Sequence, residues 1–234
     1  MNFKNIVFVA LALLFVYHSN AQEQKEIRVE SFNQVKFEGS AQWVLIPSAD
    51  EKVVILSKSE DVFDYIKINQ HGNELVVSTT DKNKNVTKLF KSVTIRVYFK
   101  SLSSVYLSGV GSVTSEGKID ASKLTATLKG TGDMTLNVDC SEFVGNMYGT
   151  GAFYVNGTAG NGLVRVEGVG GFDGFDLVCT DMDVTVSGVG GAKVHATKNL
   201  KAQLNGVGSI KYKGNPENKD FDTNGIGAIR KEKD

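Results

Sequence analysis

The chain has 234 residues, enough for one large all-β domain or two small ones, and it carries 26 basic and 26 acidic side chains. That balance excludes a global positive field of the kind that gathers nucleic acid or anionic lipid. Glycine is abundant at 25 residues and proline scarce at 2, which fits many tight turns and excludes a proline-rich disordered linker.

The first 21 residues read as a secretory signal peptide. Lys4 supplies the positive start, Ile6 to Tyr17 forms a 12-residue apolar core, and Ser19 and Ala21 place small residues before a cleavage point at Gln22. The apolar core is too short to span a bilayer. No Cys follows the cleavage point as a lipid-anchor site, and no later segment is long and apolar enough for a membrane helix. The mature chain is expected to be extracytoplasmic, in the periplasm, at the cell surface or secreted.

Residues 22–100 are irregular. "KVVILSKS", "IKINQHGNELVVSTT" and "SVTIRVYFKSL" alternate as strands, the middle one folding as a hairpin around His71-Gly72-Asn73. "SEDVFDYI" predicts one short helix and "TTDKNKNVTK" a polar loop. Val35, Phe37, Gly39, Ala41, Trp43 and Leu45 reproduce the spacing of Val105, Leu107, Gly109, Gly111, Val113 and Ser115, so a degenerate repeat lies here as well. This segment is expected to form a cap continuous with the repeats of residues 101–234.

From residue 101 onward the chain repeats. Gly-x-Gly occurs at Gly109/Gly111, Gly130/Gly132, Gly149/Gly151, Gly168/Gly170, Gly188/Gly190, Gly206/Gly208 and Gly225/Gly227, at spacings of 18 to 21 residues. Aligned on these pairs, Val105, Ala126, Gly145, Val164, Val184, Ala202 and Phe221 form one column. Leu107, Leu128, Met147, Val166, Val186, Leu204 and Thr223 form a second, and Val113, Met134, Phe153, Phe172, Ala192, Ile210 and Ile229 a third. Polar residues lie between them, and alternation of period two means strands with one buried face. Each repeat is then a strand, a glycine bend, a second strand and a turn. Units this short bury a core only by stacking. The expected fold is an all-β, single-stranded, right-handed parallel β-helix (β-solenoid) with rungs of about 19 residues and an irregular N-terminal β cap. The expected division is 1–21 signal peptide, 22–100 cap and 101–234 repeats.

Three further columns fix the register. Ala121, Cys140, Ala159, Cys179 and Ala196 are all small and mark a tight inward corner. Cys140 and Cys179 then stand two rungs apart, about 10 Å, beyond disulfide reach, and are expected as buried free thiols. Leu124, Phe143, Leu163, Met182 and Leu200 form an apolar column; Lys123, Glu142, Asn161, Asp181 and Lys198 form a charge-mixed surface ladder.

The glycine pairs do not read as phosphate loops. A dinucleotide fingerprint needs Gly-x-Gly-x-x-Gly between strand and helix, and no helical pattern follows any of the seven. "GVGGFDGFD" (168–176) has the flavour of a calcium nonapeptide but occurs once. His71 sits in a hairpin turn, His195 faces solvent and both Cys face inward, which disfavours zinc. Asp120 and Asp139 share a column at the separation of retaining glycosidase carboxylates, yet no basic cluster or enclosing loop accompanies them, so a solvated surface is expected. No catalytic residue, metal site or cofactor is assigned. The ligand-face candidates are Tyr106, Lys129, Tyr148, Arg165, Glu167 and Gln203, on the polar face before the glycines, where Tyr and Arg can hold an extended glycan or peptide.

With "FNQVKFEGSAQWVLI", "GNELVVST", "VTIRVYFKSLSSVYLSGVGSV" and the "SGVGG"-like repeats in place, residues 27–229 resemble a bacterial family known as putative auto-transporter adhesin, head GIN domain. The resemblance implies a β-helical secreted or surface domain and supplies no catalytic residues. Many relatives look like lipoproteins, whereas this chain lacks the lipid-accepting Cys. The reading is a non-enzymatic, adhesin-like binding or structural module whose partner is a glycan or envelope component, not nucleic acid, with a homo-oligomer as a further option. The alternative is a polysaccharide-active β-helix enzyme.

Overall fold

The computed structural model describes residues 23–80 and 93–232. The signal-peptide segment and most of the expected polar loop lie outside these residues. The chain forms a β-solenoid of about 7 turns with rungs of about 19 residues.

The strands are β1 (Glu23–Arg28), β2 (Gln34–Glu38), β3 (Ser40–Pro47), β4 (Lys52–Ser57), β5 (Ile66–His71), β6 (Glu74–Thr79), β7 (Thr94–Phe99), β8 (Ser104–Leu107) and β9 (Val110–Ser115). They continue as β10 (Ile119–Leu128), β11 (Thr131–Met147), β12 (Thr150–Val166), β13 (Val169–Val186), β14 (Val189–Leu204), β15 (Val207–Lys213), β16 (Asn218–Thr223) and β17 (Ile226–Lys231). The short helix expected in "SEDVFDYI" is a 3-10 helix over Glu60–Tyr65. β5 and β6 form the antiparallel hairpin, with His71 opposite Glu74.

The degenerate repeat is a true rung. Val35 lies beside Val105, Phe37 beside Leu107, Ala41 beside Gly111 and Trp43 beside Val113, all in parallel register. Below it β2 pairs with β6 and β3 with β7, still parallel. The pattern then changes to antiparallel: β4 lies between β7 and β1, and β5 covers β6. The edge strand β1, EQKEIR, is rich in charge, which blunts further pairing at that end.

Strands β11 to β14 run 16 to 18 residues without interruption. Each runs from one glycine bend to the next. The expected turn at the second corner is instead a bend inside a continuous strand. The small column supplies the reason: Ala121, Cys140, Ala159, Cys179 and Ala196 pair rung to rung, and the ladder skips only the next position, Ser141 beside Gly160. Small inward side chains let the chain turn the corner without leaving its neighbours. Cys140 and Cys179 are free and buried, with Ala159 between them as the register requires.

Two columns differ from the expected ones by one residue. Phe143 pairs with Gly162, and Gly162 with Met182, so Gly162 occupies the apolar column, while Leu163 faces outward between Val144 and Asp183. The surface ladder ends at Asn199, not Lys198, because the register shifts between Cys179 and Asp181. An extra residue at such a bulge moves every later side chain by one place.

The core is one continuous cluster. Phe37 stacks on Trp43 with centroids 5.3 Å apart, and Phe143, Phe153 and Phe172 pack at 5.5 to 6.4 Å. At the last described rung two of the inward columns turn polar, Leu200 being followed by Lys219 and Leu204 by Thr223, while Phe221 follows Ala202 and Ile229 follows Ile210.

Candidate functional site

The bends come first, because they set the shape of the faces on either side. In the pair Gly188/Gly190, Gly190 has φ of +140°, a region that L side chains rarely adopt. Gly188 has no such angle, but a Cβ there would overlap the carbonyl oxygen of Gly168 one rung below. One glycine serves backbone conformation and close stacking, the other close stacking alone, and the same division holds in the other pairs. No helix follows any bend, so the pairs hold no phosphate-binding helix terminus. The residue between the two glycines points outward, giving an exposed ridge of Val110, Val169, Val189, Val207 and Ile226.

The polar face before the bends is assembled as the periodicity predicts. Tyr106, Thr127, Asn146, Arg165, Thr185 and Gln203 stand side by side on successive rungs. Lys129, Tyr148 and Glu167 lie at the edge of the same face. Their backbone N–H groups each donate across one rung at 2.8 Å, to the carbonyls of Leu107, Leu128 and Met147. All six candidates therefore share one surface. Arg165, Lys129, Tyr148 and Glu167 are exposed, Tyr106 and Gln203 half-buried. Lys36 Nζ sits 5.8 Å from the Tyr106 ring centroid and 2.6 Å from Glu38, so the ring is held by a cation that is itself paired. The Glu38 hydrogen bond holds the Lys36 ammonium above its ordinary pKa. The Thr185 hydroxyl donates to Gln203 Oε1 at 3.4 Å. Thr127 is buried, which removes it from any contact surface. The face is an open sheet; concavities of about 420 Å³ and 620 Å³ lie elsewhere, the first around Glu26, Lys52 and Lys100, the second at the small-residue corner around Asp139 and Thr158.

Asp120 and Asp139 are neighbours as expected. Asp139 accepts from the Thr158 hydroxyl at 2.8 Å and pairs with Lys118 at 3.2 Å. The hydroxyl first and the ammonium second hold its carboxyl below the usual carboxylate range. A carboxylate so held is a poor proton donor. In the 168–176 segment, Asp173 is paired with Lys193 at 2.8 Å, so its oxygens serve a surface ion pair. Among the described residues no group of three or more His, Cys, Asp or Glu side chains comes together as metal ligands. Burial pushes the Cys140 thiol up to about 11 and the Cys179 thiol up to about 12, far from reactive thiolate character.

Sequence reasoning missed a second outward column, on the far side of the bends. Thr114, Thr135, Tyr154, Asp173, Lys193, Lys211 and Arg230 stack there in register. The signal was present five residues after each first glycine.

Among the described residues no helix is long and apolar enough to cross a membrane. No curated protein matches the chain. A crystal structure of a "putative adhesin" from Bacteroides fragilis NCTC 9343 superposes with a TM-score of 0.86 at 25% identity, covering 92% of this chain and 98% of that one. Two proteins of Parabacteroides distasonis ATCC 8503, described as a "putative lipid binding protein" and a "putative adhesin", share the fold at TM-scores of 0.65. They are 23% and 21% identical, and each match covers 91% of this chain and 97% of the other. The pattern of the family described as "Putative auto-transporter adhesin, head GIN domain" matches residues 31–216, and the chain belongs to that family.

Proposed function

We propose that the protein is an extracytoplasmic, non-enzymatic binding module of adhesin-like type, and that the open face before the glycine bends holds an extended surface glycan. The observation that carries this reading is the ladder itself. Tyr106, Asn146, Arg165 and Gln203 present aromatic and hydrogen-bonding groups one or two rungs apart, in steps of the strand spacing of about 4.8 Å, with Lys129, Tyr148 and Glu167 alongside. A rigid sheet presents such groups without an ordering cost on the protein side. Family membership and the likeness to a protein described as an adhesin support the same reading. The stacked Asp120 and Asp139 do not favour hydrolysis, because Asp139 is already engaged by Lys118 and Thr158.

A glycan array probed with residues 22–234 tests the proposal. Binding is expected, and Tyr106→Ala, Tyr148→Ala and Arg165→Ala should abolish it without lowering the melting temperature. Binding that survives all three changes dismisses this face. Cleavage of any member of a polysaccharide panel dismisses the non-enzymatic assignment.

A further inference from the structure

The formal net charge of zero hides a segregation. In the column beyond the bends, Thr114, Thr135 and Tyr154 give way to Asp173 and then to three cations on successive rungs, Lys193, Lys211 and Arg230. Lys213 lies two residues beyond Lys211 on the same side, beside His195 in the ladder. On the opposite face the same rungs carry Asp183, Asp220 and Asp222, with Lys201 between the first two.

A bulge places an aromatic ring in the middle of this basic field. The register between β13 and its neighbours shifts between Asp173 and Val178, and Phe175 falls in the unpaired stretch. Its ring lies 4.7 Å from Lys213 Nζ and 5.5 Å from Lys193 Nζ. His195 Nδ1 is 3.2 Å from the Phe175 carbonyl oxygen. That oxygen can only accept, so Nδ1 is the donor in this contact. Tyr154, on the adjacent rung, is exposed.

Carboxylates neutralise only part of the field. Lys193 is paired with Asp173 at 2.8 Å and Lys211 with Glu232 at 3.0 Å. Among the described residues, neither Lys213 nor Arg230 has a carboxylate within ion-pair distance. Two cations outside any ion pair among the described residues, a clamped phenyl ring and an exposed tyrosine thus share one rigid sheet face.

We propose that this face is a second binding site, for an anionic polysaccharide lying along the solenoid axis. A polymer running in that direction meets a cation on each of three successive rungs, Lys193, Lys211 and Arg230, at about the strand spacing. Its sugar rings pack on Phe175 and Tyr154, and its carboxylate or sulfate groups meet Lys213 and Arg230. The site is separate from the face before the bends and does not depend on what that face binds.

Affinity electrophoresis of the whole mature chain in gels containing polygalacturonate, dextran sulfate or neutral dextran tests this. Retardation is expected with the two polyanions, weakening as salt rises, and none with neutral dextran. Lys213→Gln combined with Arg230→Gln should weaken polyanion binding by about tenfold. Lys118→Gln combined with Lys123→Gln, on another surface, should leave it unchanged. Phe175→Leu, which keeps the bulge filled, should weaken binding of the carbohydrate polymers but not of inorganic polyphosphate. Absence of retardation, or equal loss from the Lys118/Lys123 pair, overturns the proposal. Binding only to vesicles containing phosphatidylglycerol, with no polymer retarded, assigns the field to lipid and likewise overturns it.

Discussion

Met182 occupies the space that a side chain at Gly162 would take. A Cβ on Gly162 would lie 2.6 Å from Met182 Cε, 3.0 Å from its sulfur and 2.9 Å from Cys179 Sγ. The column therefore loses a side chain on one rung and recovers the volume from the next, which an unbranched thioether is well suited to do. Gly162→Ala should cost about 1–3 kcal/mol through overpacking, and Met182→Ala about 2–5 kcal/mol through the cavity it leaves. Combined, the two should cost less than their sum by at least about 0.5 kcal/mol. Urea denaturation of the four proteins measures this, and strict additivity would show that the two residues do not share the space.

The bends make a sharper contrast between neighbours. Gly190 combines a φ of +140° with a path that brings it against the Gly170 carbonyl, whereas Val189 beside it is 55% exposed. Gly190→Ala is expected to destabilise by about 2–4 kcal/mol, from backbone strain and displaced stacking together. Val189→Thr should change stability by no more than about 0.5 kcal/mol. Thermal melts of the two variants decide the matter, and a tolerated Gly190→Ala would mean that the rungs can separate at the bend.

Most of this architecture is visible in the sequence because stacking repeats the same constraint at each rung. Val184 and Val186 alternate with Thr185, the bend glycines return at nearly fixed spacing, and even Trp43 takes its place opposite Val113. What the sequence hides is local slippage. Leu163 has the composition of a core residue, and only the paired register shows that Gly162 is the inward one and that Met182 compensates. Lys198 is displaced by a bulge that no periodicity announces. The candidate face is legible as a face, but not the burial of Thr127 or the hold of Lys36 on Tyr106, since both depend on neighbours from other rungs. The basic field escapes notice for a different reason: each of its cations looks like an ordinary solvated side chain until the rungs are stacked.

The buried thiols give the fold an alkaline sensitivity. Cys179 is fully buried, and desolvation first, with the neighbouring Cys140 second, pushes its pKa up to about 12 from an ordinary 9.0. Below pH 9 the thiol is protonated in both states and contributes no pH dependence. Above it the unfolded chain releases a proton that the folded chain retains, so stability falls with rising pH until the folded value is reached. The slope from this group is at most about 1.4 kcal/mol per pH unit. Cys179→Ala, which matches Ala159 and Ala196 in the same column, should flatten the decline between pH 8 and pH 10. Unfolding in urea at the two pH values reads it out, and an unchanged slope would place the sensitivity in another group.

Lys219 and Thr223 interrupt two of the apolar columns at the last described rung. Lys219 follows Leu200 on the inward side, and Thr223 follows Leu204, so in these two columns the last described rung offers charge and hydroxyl, with Phe221 following Ala202 between them. All six residues of β16 are exposed, including Phe221, whose ring rests 5.5 Å from Tyr212. An inward-pointing charge on an edge strand deters another strand from adding to it. Replacing both polar residues, Lys219→Leu with Thr223→Val, extends the leucine columns to the rim and leaves open backbone groups beside an apolar surface. The double variant should self-associate in a concentration-dependent manner that the parent does not show, measured as a rise in weight-average mass by sedimentation equilibrium. If its mass profile matches the parent over the same concentration range, the terminal rung is kept apart by something other than Lys219 and Thr223.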